Sequence, residues 1–188
     1  MKALTICALL MAASLFAGEE ETVKPLQMKD AQSPSGRHLI SLIHGRDKES
    51  GDPTAKLALR ERKTKRTLDT VPVEVEGTDD RKDVSVLWSP KGTYLAVNLH
   101  LGQLYWFDVF RVVDEKFEHL AEEKMPKEFE RRYFTPESQK SRGGSSAIKW
   151  KNDSTLGVLD TIHRLRLTYR IGKSGLVMTN VERWKDDE

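Results

Sequence analysis

From about residue 28 onward, short runs of alternating apolar and polar residues recur along the chain, separated by clusters of Gly, Pro, Ser, Asn and Asp. A period of two places successive side chains on opposite faces of a strand, and the turn residues between runs reverse the chain. Strands are expected at 84–88, 94–100, 104–113 and 117–121, and again at 147–150, 155–161, 164–171 and 176–183. A less regular group falls at 38–43, 56–61 and 71–76. The groups differ in how they alternate. Leu104-Tyr105-Trp106-Phe107-Asp108-Val109-Phe110 is apolar at both parities, the pattern of a strand buried on both faces. The later run puts Leu165, Leu167, Tyr169 and Ile171 on one side and Arg164, Arg166, Thr168 and Arg170 on the other. The first group sets Leu57 and Leu59 against Lys56, Arg60 and Arg62. The expected arrangement is therefore a middle unit sandwiched between two outer units, each outer unit keeping a solvated basic face.

The turns repeat as well. Ser33-Pro34-Ser35-Gly36-Arg37-His38-Leu39-Ile40 matches Ser89-Pro90-Lys91-Gly92-Thr93-Tyr94-Leu95-Ala96 at an offset of 56 residues, with Ser, Pro, Gly and Leu in register. Trp150-Lys151-Asn152-Asp153-Ser154-Thr155-Leu156-Gly157 follows the segment beginning at Trp88 at an offset of 62. Pro presets φ, Gly takes the left-handed region, and Asn152-Asp153 is expected to replace Gly because both residue types tolerate that region. With the downstream strand Tyr105-Trp106-Phe107-Asp108-Val109, this pattern resembles the WD40-like repeat of TolB-type β-propellers, in which a Ser-Pro-Asp-Gly turn leads into a strand. Ser35 and Lys91 stand where that family has Asp, and the third unit has neither Pro nor Gly at the turn. The resemblance covers most of residues 28–183; it implies propeller blades and a binding or scaffolding role, with no catalytic residue carried by the repeat.

The fold expected is all-β: three four-stranded antiparallel blade-like sheets, a short or incomplete propeller, with a β-sandwich as the alternative. Three blades are fewer than the roughly 4 to 8 of a closed propeller, so an oligomer that completes one is a further expectation. The units span about 28–77, 83–123 and 146–184 within one domain over 18–188. An insertion at about 124–145 interrupts them. Its sequence is charged and helix-permissive, with Pro126 suited to a first turn and Phe129, Tyr133 and Phe134 forming an apolar side. A helix there is expected to cover an open sheet edge.

The first seventeen residues read differently. Met1-Lys2 is a short positive start, residues 3–16 are almost wholly apolar, and Ala17-Gly18 precede Glu19-Glu20-Glu21. This is the pattern of a secretory signal peptide cleaved near Ala17/Gly18, which places the protein in the periplasm or outside the cell. The run is shorter than the ~20 residues of a membrane-spanning helix, and none is expected in the mature chain. Cleavage removes Cys7, the single cysteine, so the fold is held without disulfides. It also removes Lys2 from a balance of 31 basic against 29 acidic side chains, leaving a near-neutral body and no basis for a general nucleic-acid binder.

Chemistry is sparse in the sequence. Ser146-Ala147-Ile148-Lys149 fits Ser-x-x-Lys, but falls where a strand is expected and is read as accidental. His38, His44, His100, His119 and His163 occur singly, without metal-ligand spacing, and are read as structural or surface groups. Asp47, Glu49 and Asp52 read as an acidic solvated loop out of register with a calcium loop. No catalytic residue, metal or cofactor is assigned. The candidate binding residues are basic: Arg60 and Arg62, beside Lys63, Lys65 and Arg66, and Arg164, Arg166 and Arg170 in the third unit. Glu61 and Asp69 are the acids expected to neutralise the first cluster. The favoured function is an exported, non-catalytic binding or scaffolding protein of the cell envelope that meets a protein or an anionic envelope component. The alternative is an envelope hydrolase, or an enzyme's accessory domain, with a site assembled from dispersed Ser, His and carboxylate residues.

Overall fold

A computed structural model describes residues 26–47, 49–73, 84–101, 104–134 and 144–184. Within them the chain forms three separate four-stranded sheets, so it is not the two-layer sandwich. The first sheet holds β1 (Leu26–Gln32), β2 (His38–Arg46), β3 (Pro53–Glu61) and β4 (Thr67–Val73). The second holds β5 (Val84–Trp88), β6 (Tyr94–Leu101), β7 (Leu104–Val113) and β8 (Lys116–His119). The third holds β9 (Ser145–Asn152), β10 (Thr155–Asp160), β11 (Leu165–Ile171) and β12 (Leu176–Arg183). Every neighbouring pair is antiparallel, so each sheet is a simple meander. The expected leader and the end of the strand expected at 71–76 lie outside the described residues. The first unit also has a strand the alternation missed, β1, whose pairing with β2 shifts between Gln27 and Gln32 and so breaks the period.

The repeated turn has a repeated physical cause. Ser33 Oγ accepts the backbone N–H of His38 at 3.0 Å, and Ser89 Oγ accepts that of Tyr94 at 3.0 Å. The two serines are buried, and the carbonyl of each accepts the N–H of the turn glycine. Gly36 and Gly92 sit at φ +70° and +74°, a region L-residues rarely occupy. A side chain at Gly92 would also press on Pro34, 3.3 Å away in the first unit's turn. The third turn is built otherwise: Asn152 Oδ1 accepts the Ser154 N–H at 2.9 Å, and neither Asn152 nor Asp153 takes a positive φ. The left-handed substitution expected there is thus replaced by a side-chain cap, and the turn is one residue shorter, with Leu156 opposite Trp150 as Leu95 is opposite Trp88.

Among the described residues, close packing between sheets runs from first to second and from second to third. On the middle strand β6, Leu95, Val97 and Leu99 join a core with Ile40, Leu42, Leu57 and Leu59 of the first sheet. Ala96, of the other parity, joins a second core with Leu156, Val158, Leu167 and Tyr169 of the third. Phe110 and Val109 of β7 divide in the same way. Full burial of Ile40, Leu42, Leu57, Leu59, Leu95 and Val97 stabilises by about 1.5–3 kcal/mol per side chain. The second sheet is therefore sandwiched, as its double-parity apolar run predicts.

Polar groups fix the register of this stack. Trp88 Nε1–H donates to the Ala31 carbonyl at 3.2 Å, and Trp150 Nε1–H donates to the Leu87 carbonyl at 3.0 Å. Ala31 and Leu87 are the residues preceding Gln32 and Trp88, which pair with Leu39 and Leu95, so the same bond recurs at equivalent positions. Asn98 ties the second sheet to the third twice, with Nδ2 donating to the Ala147 carbonyl at 2.9 Å and Oδ1 accepting the Ala147 N–H at 2.7 Å. A bulge in β9, between the residues opposite Gly157 and Val158, leaves that backbone available.

The insertion contains α1 (Lys127–Tyr133), which starts after Pro126, and Phe129, Tyr133 and Phe134 rest on the second core. The chain before it runs beside β12: Leu176 N–H donates to the Ala121 carbonyl and Glu123 N–H to the Leu176 carbonyl. That segment, residues 121–123 at the end of the second unit, occupies part of the sheet's outer edge, so the covering expected of the inserted helix is made by the chain just before it, while the helix rests on the core. Gly175 permits the approach, since a Cβ there would lie 2.0 Å from the Ala121 oxygen. Gly175→Ala is expected to lower stability by about 1–3 kcal/mol in urea unfolding, because backbone must move. Asn98→Ala, which strips both partners from the Ala147 backbone, is expected to cost about 1–3 kcal/mol in the same measurement.

Candidate functional site

The candidate arginines do not form one site. The first and third sheets pack on opposite faces of the second, so their remaining faces look away from each other at the two ends of the stack. Arg60 and Arg62 belong to one end, Arg166 and Arg170 to the other.

At the first end the basic cluster is largely used by its own hairpin. Arg60 donates through Nε and Nη2 to the Lys65 carbonyl, a residue held at φ 63°. Arg62 is exposed just past the end of β3, and its backbone N–H donates to the Arg37 carbonyl at 2.8 Å. The expected neutralising acids do other work: Glu61 accepts the Thr64 hydroxyl, and Asp69 turns inward to accept the Phe117 N–H of β8 at 2.8 Å. Arg66 instead meets Glu115 at 3.7 Å, an exposed pair worth little.

At the third-sheet end a groove of about 450 Å³ opens on the face turned away from the second sheet. Arg166 and Thr168 of β11, Lys149 and Lys151 of β9, and Glu182 of β12 surround it, with Gly157 of β10 and Ile148 at its floor and rim. Lys151 Nζ donates to Thr168 Oγ1 at 3.0 Å, and Arg166 stands opposite Glu182 in register. Arg170 lies further along the same parity of β11 and is exposed. Arg164 is not on this strand: it is a turn residue at φ 54°, and its carbonyl accepts the Trp184 N–H. Lys149, Lys151 and Gly157 were not among the binding candidates read from the sequence. The signal was there in Lys149 and Lys151, two cations of one parity beside Trp150.

The histidines are placed individually. His163 Nδ1 lies 2.7 Å from Asp160 Oδ2, while Asp160 Oδ1 accepts the His163 N–H at 2.9 Å, so the pair closes its own hairpin turn. His119 meets Asp108 at 3.0 Å on the surface, and His100 stacks on Tyr105. Partial burial and, next, the adjacent Arg37 charge hold the His38 imidazole below its ordinary value. The Tyr169 hydroxyl donates to Glu122 Oε1 at 2.7 Å, and burial, then that carboxylate, keep it far above the ordinary phenol range. Ser146 sits on β9 opposite Leu159, not on a helix, so Ser146 and Lys149 lack the one-turn spacing on which Ser-x-x-Lys chemistry depends. Asp47 Oδ1 accepts the N–H groups of Glu49 and Ser50, and these bonds lower its pKa, which ties this carboxylate into its own turn.

No protein family matches the sequence, and no curated protein matches it. Among solved structures, the crystal structure of Kluyvelomyces marxianus Hsv2 is similar at a TM-score of 0.40 and 13% identity, over 82% of this chain and 45% of that one. The chain thus spans less than half the length of that protein. The class of the molecule rests on its own architecture: an all-β protein of three four-stranded meanders in a propeller-like arrangement.

Because Arg60 holds the Lys65 carbonyl while Arg62 is an exposed turn residue, the two are expected to separate on substitution. Arg60→Met should lose about 0.5–1.5 kcal/mol in urea unfolding, and Arg62→Ala should stay within about 0.5 kcal/mol of the parent.

Proposed function

We propose that this is an exported, non-catalytic binding or scaffolding protein of the cell envelope, which meets a protein or polyanion through the open faces of its end sheets. The observation that carries the reading is the third sheet's outward face, where Lys149, Lys151 and Arg166 gather around a groove with Glu182 as the acidic group among its lining residues. A sheet that buries one face and leaves the other lined by cations offers a broad electropositive surface for an extended anionic partner. The export assignment is supported by the pattern of residues 1–18. The non-catalytic assignment is supported by the local, turn-closing use of Asp160 and His163 and by the strand position of Ser146.

Titration calorimetry of the protein with poly-glutamate at rising salt is the test. Affinity is expected to fall steeply as salt screens the cations, and Arg166→Ala combined with Arg170→Ala is expected to weaken binding about tenfold. Binding indifferent both to salt and to that double substitution would refute the reading.

A further inference from the structure

The bond that joins one sheet to the next has a third equivalent place, on the third sheet. Trp88 reaches back to the Ala31 carbonyl, and Trp150 reaches back to the Leu87 carbonyl. In the second sheet Leu87 lies opposite Ala96. In the third, Lys149 lies opposite Gly157, one step from the Trp150 and Leu156 pair, just as Leu87 is one step from Trp88 and Leu95. Lys149 thus holds the place of Ala31 and Leu87, and Gly157 the place of Ala96. Both line the groove on the outward face.

We propose that this groove is a socket for a tryptophan presented by an acidic segment of a partner protein, the indole N–H donating to the Lys149 carbonyl. The proposal rests on the binding role assigned to this face above and names the chemistry it selects. The geometry is that of a site filled twice within this chain by the same side chain. The charge supplies the rest: Lys149, Lys151 and Arg166 against Glu182 favour acidic residues flanking the indole. A second copy of this chain fits less well. Its first unit carries Gln32 where the later units carry Trp88 and Trp150, and its free face presents Lys56 and Arg60, so two basic faces would meet.

The socket is testable on the probe, without disturbing the fold. The matching places beside the two bonds made within the chain hold Ile40 and Ala96, so a side chain at Gly157 is compatible with the bond. The probe is a synthetic peptide with one tryptophan flanked by aspartates and glutamates, titrated calorimetrically into the full chain. Replacing the peptide's tryptophan by alanine is expected to weaken binding at least about tenfold. A peptide carrying 1-methyltryptophan, which keeps the ring and lacks the N–H, is expected to bind about tenfold more weakly than the tryptophan peptide. The charge reversal Lys149→Glu with Lys151→Glu is expected to weaken the tryptophan peptide by at least about tenfold as well. Equal affinity for the tryptophan and alanine peptides, or for the tryptophan and 1-methyltryptophan peptides, overturns the socket, while salt-dependent poly-glutamate binding would leave the broader reading standing. Binding of neither peptide nor poly-glutamate overturns both. A dimer in sedimentation velocity that the tryptophan peptide dissociates would assign the socket to a second copy and overturn the partner proposed.

Discussion

One bond, made twice, sets the stacking of this protein: an indole N–H from the first strand of a sheet, given to a carbonyl on the first strand of the sheet before it. It is a single hydrogen bond, worth about 1 kcal/mol in net stability. Its weight lies in direction, because apolar faces alone slide, and a donor that must be satisfied when half-buried does not. The two apolar cores supply the larger stabilisation on either side of the second sheet. Asn98 adds a second polar tie from the second sheet to the third, where the β9 bulge leaves the Ala147 backbone available.

A stack of three sheets built this way has two ends. A closed propeller has none, since its last blade buries the open face of its first. Here the ends are resolved differently. The first sheet's outward side carries exposed Lys56 and also Arg60, pinned to its own turn, while Ala58 and, opposite it, Ser41 are buried. The third sheet's free side is cut by a groove, because the residue at its centre is Gly157 where the equivalent positions hold Ile40 and Ala96. Residues 121–123, just ahead of the insertion, cover a different exposure, part of the outer edge at the start of β12, and Gly175 is the residue that allows that contact. Among the described residues the edge is thus partly closed, and the third sheet's outward face keeps a groove.

Much of this was legible in the sequence, for identifiable reasons. The Ser-Pro-x-Gly turns were readable because the serine, the proline and the glycine each meet a local requirement within the same few residues. The burial of the second unit was readable because a strand covered on both sides must be apolar at both parities, as 104–110 is. The single-faced alternation of the third unit gave its inward leucines and outward arginines correctly, apart from Arg164, which the backbone turns out of the strand at a positive φ. The first strand escaped because an irregular pairing breaks the period on which recognition depends.

The sequence by itself determined most of the strands, the two Ser-Pro-x-Gly turns and the number of units, since these follow from period, turn chemistry and local hydrogen bonds between residues close in the chain. It also determined which unit is buried twice. What only the tertiary structure decided is which carbonyl each tryptophan meets, which acids neutralise which cations, and that the two basic faces point apart. Those outcomes join residues about 60 positions distant, as Trp150 and Leu87 are. Their pairing depends on the stacking of sheets, and no run of a single strand encodes it.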